Sequence, residues 1–457
     1  MEKSHRNILI VLLALLAVVF AFNRWAFRET GPFEISLFLA PVSANEQAAN
    51  EVFTLLEIEW QDYYAPLLVE TAYSPFATTN RRDRIIRILD AGTGQNFGND
   101  HVKWQRWLWN APENLHDDYA EFKALLYEQI DPSFREYFHK QRAKTIRLDE
   151  VVWSGIPRDG VPPITQPKHL ENPAPDFLPD EELVIGLELN GKPRAYPRRM
   201  LEYHELVQDS LGGDPIVGTL CGFSGCAAFY NASVNNVAYE FGNSGFHYRA
   251  NKLLYDKSTK SLWQALSGLP VIGPMAGGAT ILQPLPVVTT TWKTWRELHP
   301  NTSLLSPDTG FQIDYSKPTP FSEYAQTDEL VYQVPKTDDR LKNKQEVLAV
   351  RAMPADARQL AIARELLLAN RVYHGESGGN PYVVLTDESG ASRVYESGEV
   401  KFESFDGRSA TDSAGKAWKL TETALTGPDN AKLRRYPAHR AYWFAWQAAY
   451  PDTDLVK

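Results

Sequence analysis

The chain has 457 residues, 43% hydrophobic and 12% aromatic, with a formal net charge of −10 and two cysteines. That length implies roughly two to four domains, with apolar residues for more than one core, and excludes a small scaffold stapled by disulfides. The 47 Lys and Arg are scattered rather than striped among 57 Asp and Glu, which leaves no electrostatic footprint for nucleic acid.

An apolar run from Ile8 to Phe22, preceded by Lys3 and Arg6, has the layout of a secretory segment. Its flank, Asn23-Arg24-Trp25-Ala26-Phe27-Arg28, reads as an interfacial anchor and not as a cleavage site. Val42-Ser43-Ala44 fits a cleavage motif but lies too far downstream, and reads as linker. Residues 1–30 are therefore expected to be an uncleaved anchor in the inner membrane, with the bulk of the chain outside the cytoplasm. The membrane and a protein of the cell envelope are the expected partners, in a compartment where a disulfide persists.

Residues 45–147 read as a helical domain, with Val52, Leu55 and Leu56, then Ile85, Ile86, Ile88 and Leu89, then Phe122, Leu125 and Leu126 at helical spacing. Pro75, Pro112 and Pro132 break it into short helices. The stretch Thr93 to Asp100 opens a helix carrying Trp104 and Trp107; its glycines lack the spacing of a phosphate-binding loop. Residues 148–182 are dense in proline, among them Pro157, Pro162, Pro163, Pro167, Pro173, Pro175 and Pro179, and read as an extended strap.

From Leu183 onward the period becomes that of strands, and the pattern recurs. Gly212-Gly213-Asp214-Pro215-Ile216-Val217 returns as Gly378-Gly379-Asn380-Pro381-Tyr382-Val383, Trp263 as Trp418, and Trp292, Trp295, Pro300 and Thr302 as Trp443, Trp446, Pro451 and Thr453. The expected fold is α+β: a helical N-terminal domain, then an internally duplicated strand-rich domain with copies at 183–310 and 311–457. The copies differ chemically, since Cys221 and His204 of the first align with Asp387 and Asn370, and His439 of the second aligns with Val288.

Cys221 and Cys226 flank Gly222-Phe223-Ser224-Gly225, and beside two inert, buried thiols three readings of this loop stay open. One is a structural disulfide. A second is a zinc or copper site completed by His204 and His439, with His247 as a spare ligand. A third is a redox-active dithiol, which requires a cation or helix N-terminus to lower a thiol pKa. The Gly222–Cys226 segment is one residue off a hydrolase nucleophile elbow, and the extended residues after Phe229 disfavour that reading. Glu205 beside His204 is a candidate acid or base at a helix end, and Asp256 among aromatics requires a partner if buried.

Several segments together resemble domain of unknown function 3179, a bacterial family, over about residues 148–457. They are Ile156-Pro157-Arg158-Asp159-Gly160-Val161-Pro162, Arg194-Ala195-Tyr196-Pro197, His204-Glu205, Gly212–Pro215, the cysteine loop, Ser244-Gly245, Asn251–Lys257, Ser261-Leu262-Trp263 and Pro437–Trp446. The resemblance implies an exported or membrane-anchored protein and assigns no activity. Many members carry a tighter Cys-Pro-x-Cys loop, and often a Met where this chain has Leu254. The functional expectation is a cell-envelope binding, redox or metal module centred on Cys221–Cys226. The alternative is a structural or interaction module that uses the helices around Trp104 and Trp107.

Overall fold

The computed structural model describes residues 35–43, 45–171, 178–351 and 358–457, so the apolar run at 8–22 lies outside the described residues. Among the described residues no helix is long and apolar enough to cross a membrane.

Five helices form as the apolar spacing requires: α1 (Glu46–Ile58), α2 (Tyr64–Ala72), α3 (Thr79–Thr93), α4 (His101–Asn110) and α5 (Tyr119–Tyr127). Asn45 and Asp100 cap α1 and α4 by accepting from the backbone N–H groups of Ala48 and Lys103, both at 3.0 Å. Gly94, at φ 70°, closes α3 in the left-handed conformation. A short 3₁₀ segment, Ile35–Val42, precedes α1 and buries Phe38 in the same core. That core runs on into strand residues Leu253, Tyr255, Leu262 and Ile272, so the helices are a layer laid on a sheet.

The strand-rich part begins with β1 (Val151–Trp153), then β2 (Leu183–Leu189), β3 (Lys192–Pro197) and α6 (Arg198–His204). Next come β4 (Leu206–Leu211), β5 (Asp214–Cys221), β6 (Cys226–Asn231), β7 (Phe241–Tyr248), β8 (Asn251–Asp256), β9 (Leu262–Gln264) and β10 (Leu269–Ile272). β11 (Val287–Thr291), α7 (Trp292–Leu298) and β12 (Ser303–Leu305) complete this stretch. The order β1-β7-β8-β9-β10 gives an antiparallel sheet that carries the helices, and β4, β5 and β6 form the centre of a second sheet. In a third, β11-β2-β3-β12 with an outer strand His169–Glu171, the β3–β12 pair is parallel and the outer strand pairs antiparallel with β12.

After a long connection the chain forms β13 (Glu346–Val350), β14 (Leu360–Ala363), α8 (Arg364–Ala369), β15 (Val372–Ser377), β16 (Asn380–Thr386) and β17 (Ser392–Glu396). It ends with β18 (Ala438–Tyr442), α9 (Trp443–Ala449) and β19 (Asp454–Val456). The four-stranded sheet β18-β13-β14-β19 ends in a parallel pair. β15, β16 and β17 lead an eight-stranded sheet whose last strand returns to the first, where Phe402 N donates to His374 Nε2 at 3.0 Å; the sheet is nearly a barrel. Two tryptophan contacts recur. Trp295 Nε1 donates to Thr302 at 2.8 Å and Trp446 Nε1 to Thr453 at 3.0 Å, while Trp263 and Trp418 donate to Asp256 and Asp412 at 2.9 Å each.

One core cluster joins Leu206, Val217, Cys226 and Trp263 to Val347, Ala361, Trp443 and Trp446, so the two strand-rich stretches share an interior. A buried charge cluster lies nearby. Burial alone would raise the Glu422 carboxyl, but the Arg393 and Arg435 guanidinium groups hold it well below the usual range.

A candidate ligand cavity behind the cysteine hairpin

Cys221 ends β5 and Cys226 begins β6, directly opposite each other across a hairpin. Both are buried free thiols, each 2% exposed. The turn is strand to strand and Ser224 is buried, its hydroxyl donating to Cys221 O at 3.3 Å, so the segment is not a nucleophile elbow. Burial raises both thiols, and the neighbouring Cys221 adds to the effect at Cys226, the opposite of what a reactive dithiol requires.

The tip of this hairpin is clamped. Tyr442 N donates to Ser224 O at 2.8 Å, and a Cβ on Gly222 would overlap the Phe321 ring. Phe223 is ringed edge-on by Phe321, Tyr324 and Tyr332 at 5.0, 5.4 and 4.8 Å, all from the segment that connects β12 to β13. On its other side Phe223 meets His247 at 5.7 Å.

Beside Phe223 lies a cavity of about 70 Å³ lined by Pro157, Glu205, Asn243, Phe246, His247, Lys252 and Tyr332. Three local devices aim these side chains. Glu205 follows α6 at φ 59°, a left-handed conformation uncommon outside glycine, and there turns into the cavity. The register of β7 against β8 slips between Asn243 and His247, a bulge that re-aims His247 opposite Lys252. Gly245 within that bulge permits close approach of the strap, since a Cβ there would meet Ile156 O at 2.6 Å.

Lys252 is 5% exposed, with Nζ against Glu205 Oε2 and 3.2 Å from Asn243 Oδ1. Asn243 is fixed in turn, its Nδ2 donating to Val161 O at 2.7 Å and His204 O at 3.1 Å and its N to Asp159 Oδ1 at 2.8 Å. Tyr255 OH donates to Asp159 Oδ2 at 2.6 Å. Burial lowers the Lys252 amine well below the ordinary lysine range, with the Asp159 charge opposing it. His247 is 4% exposed, stacks on Tyr332 at 4.4 Å, and meets no hydrogen-bond partner at either ring nitrogen among the described residues. Burial pushes its pKa down to about 3, so the ring is neutral, with one donor and one acceptor nitrogen.

Of the residues singled out in the sequence, Glu205 and His247 line this cavity. His204 lies behind it with both nitrogens engaged, Nδ1 with Pro162 O at 2.7 Å and Nε2 with the Tyr315 hydroxyl. Because a carbonyl only accepts, Nδ1 carries the proton. His439 lines a separate void of about 10 Å³ with Tyr230 and Arg351, at the seam of the two strand-rich stretches. His204, His439 and the cysteines are therefore not brought together, and the described residues hold no group of three or more His, Cys, Asp or Glu able to bind a metal ion. Asp256 is 0% exposed and organises the β8–β9 turn, accepting from Thr259 N, Ser261 N and Trp263 Nε1. Trp104 is core, its Nε1 donating to Gly98 O at 2.8 Å, and does not form an outer contact surface. The residues missed were Lys252, Asn243, Phe223 and Tyr332. A lysine at the head of the apolar run Leu253-Leu254-Tyr255 was the available signal.

The fold and cavity together define an α+β protein whose pocket is assembled from a strap, a helix end and a bulged hairpin. A family model described as "Protein of unknown function (DUF3179)" matches residues 158–453, and the chain belongs to that family. No curated protein and no solved structure matches the chain.

Proposed function

We propose that the chain is a small-ligand-binding module of the cell envelope, whose site is the cavity between Phe223 and the Glu205–Lys252 pair. The observation that carries this reading is His247, buried and with neither ring nitrogen partnered among the described residues, lining a cavity that also holds an acid and an amine. A buried polar group without a partner costs about 1–3 kcal/mol, and a ligand bearing one donor and one acceptor would remove that cost. Segments that carry the family resemblance supply Pro157, Glu205, Gly245 and Lys252 to its wall. The test is a screen of small neutral polar fragments read by the ring resonances of isotope-labelled histidine. Fragments that shift His247 ahead of the other nine histidines support the reading; no selective shift at millimolar concentrations sinks it.

The cysteine pair favours a structural disulfide as a second role. Directly opposed residues of an antiparallel pair sit about 4.5–5.5 Å apart at Cα, inside the range a disulfide spans. Burial of both thiols speaks against redox turnover. A mass two hydrogens lighter than the reduced chain, in protein recovered from an oxidising compartment, would establish the bond. The envelope location rests on the sequence of residues 1–30, and a loss of membrane association on deleting them is the expected result. Within its five-stranded sheet the order β11-β2-β3-β12 matches that of β18-β13-β14-β19, and each set carries its Trp-to-Thr hydrogen bond, which supports an origin of the strand-rich part by duplication.

A further inference from the structure

The Glu205–Lys252 pair sits in an unusual place for a buried ion pair. A structural pair is usually enclosed on all sides, as Glu422 is between Arg393 and Arg435. Lys252 instead lines a cavity, with apolar Phe223, Phe246, Ile156 and Pro157 around it. An anion receptor is a poor reading, because the ammonium is already neutralised by Glu205 and Asp159 lies one layer behind. An acidic ligand would add a further negative charge beside two carboxylates.

We infer that Lys252 is an imine-forming amine for a small, uncharged aldehyde or ketone, with Glu205 as its proton carrier, an inference that rests on the cavity being a ligand site. A proton shared between Nζ and the carboxylate gives, in one of its two placements, a neutral amine beside a carboxylic acid. The Nζ lone pair attacks the carbonyl carbon, forming C–N as the C=O π pair moves to oxygen, which takes the proton from Glu205. The nitrogen then returns one proton to Glu205. The carboxylic acid next protonates the hydroxyl, which leaves as water while the nitrogen lone pair forms C=N. The product is a protonated imine paired with the Glu205 carboxylate, and no oxidant or reductant is consumed.

The lowered affinity of the buried Lys252 amine for its proton favours the nucleophilic form. The apolar wall limits the water that would hydrolyse the imine. At about 10–15 Å³ of cavity space per water, the cavity of about 70 Å³ has room for a carbonyl compound of a few carbon atoms. Asn243, held at both ends of its amide, fixes the direction of Nζ.

The experiment treats the folded protein with stoichiometric propionaldehyde or glycolaldehyde plus cyanoborohydride, then maps alkylated lysines by peptide mass spectrometry. Unfolded protein is the control that the Lys252 peptide is detectable. The expected result is one reduced alkyl group on Lys252 ahead of every surface lysine, and labelling at least tenfold slower in Glu205→Gln. Surface lysines labelled while Lys252 stays free, or equal rates in Glu205→Gln, overturns the inference. Binding of propionamide, which forms no imine, is read in parallel by the His247 ring. If propionamide shifts His247 and Lys252 is not labelled, the imine chemistry falls and the ligand site stands; if neither occurs, both fall.

Discussion

Replacing His247 with Phe should make the ligand-free protein more stable while destroying its proposed ligand site. The imidazole is 4% exposed with two unpartnered nitrogens, stacked on Tyr332 and edge-on to Phe223. A phenyl ring keeps both aromatic contacts, has nothing to desolvate, and extends toward an existing cavity instead of into packed atoms. Removing the unsatisfied polar groups should gain about 1–3 kcal/mol at neutral pH. A second term depends on pH. In the folded chain His247 titrates near 3 against 6.5 for a free side chain, so the unfolded state binds the proton first. Stability from this group is complete above about 6.5 and is lost as pH falls toward 3. By pH 5 that loss is about 2 kcal/mol, and His247→Phe escapes it. Glu205, Lys252 and the other buried histidines are common to both proteins and cancel to first order. Urea unfolding at pH 7 and pH 5, followed by circular dichroism, measures the difference; the advantage of the variant should widen by about 2 kcal/mol at the lower pH. A variant less stable than wild type by the same amount at both pH values would refute the reasoning, because it would mean that His247 is partnered or already charged.

The cysteine thiols, in the reduced protein, should resist aqueous alkylating reagents until urea unfolds the chain; rapid modification of the folded form at neutral pH would contradict their burial and raised pKa. Arg393→Met leaves the buried Glu422 carboxylate short of one of its two guanidinium partners and should cost about 3–5 kcal/mol in urea unfolding, with part of the loss recovered by adding Glu422→Gln. Gly222→Ala drives a methyl group into the Phe321 ring and should cost about 1–3 kcal/mol, and the second change Phe321→Ala should remove most of the added penalty in a double-mutant cycle.

The helical and strand-rich regions were legible because their apolar periods differ, and because proline at 157–179 separates them. The partner required by a buried Asp256 was anticipated as a need; its identity, Trp263 with the turn N–H groups, is a local consequence of the β8–β9 turn. The candidate site was half legible. Glu205 and His247 drew notice as residue types, whereas Asn243 and Lys252 become neighbours only through the slipped register of β7 on β8, which no spacing rule encodes. Tyr332 comes from a connecting segment with little periodicity of its own. The metal reading joined His204 of the first copy to His439 of the second as ligands contributed from both copies, but the two imidazoles sit in separate surroundings, Pro162 and Tyr315 for one and the Arg351 void for the other.

Tyr332 belongs to the segment joining the two strand-rich stretches, yet it forms a wall of the cavity and stacks on His247. The joining segment is thus also a building block of the pocket. A fragment ending at Leu305 would retain the amine, the acid and the imidazole but leave the cavity unroofed and Phe223 stripped of its three aromatic neighbours. The two strand-rich stretches are therefore not interchangeable modules that could be shuffled or expressed apart with the pocket intact, and any division of this chain for experiment has to keep residues 321–332 with the first stretch.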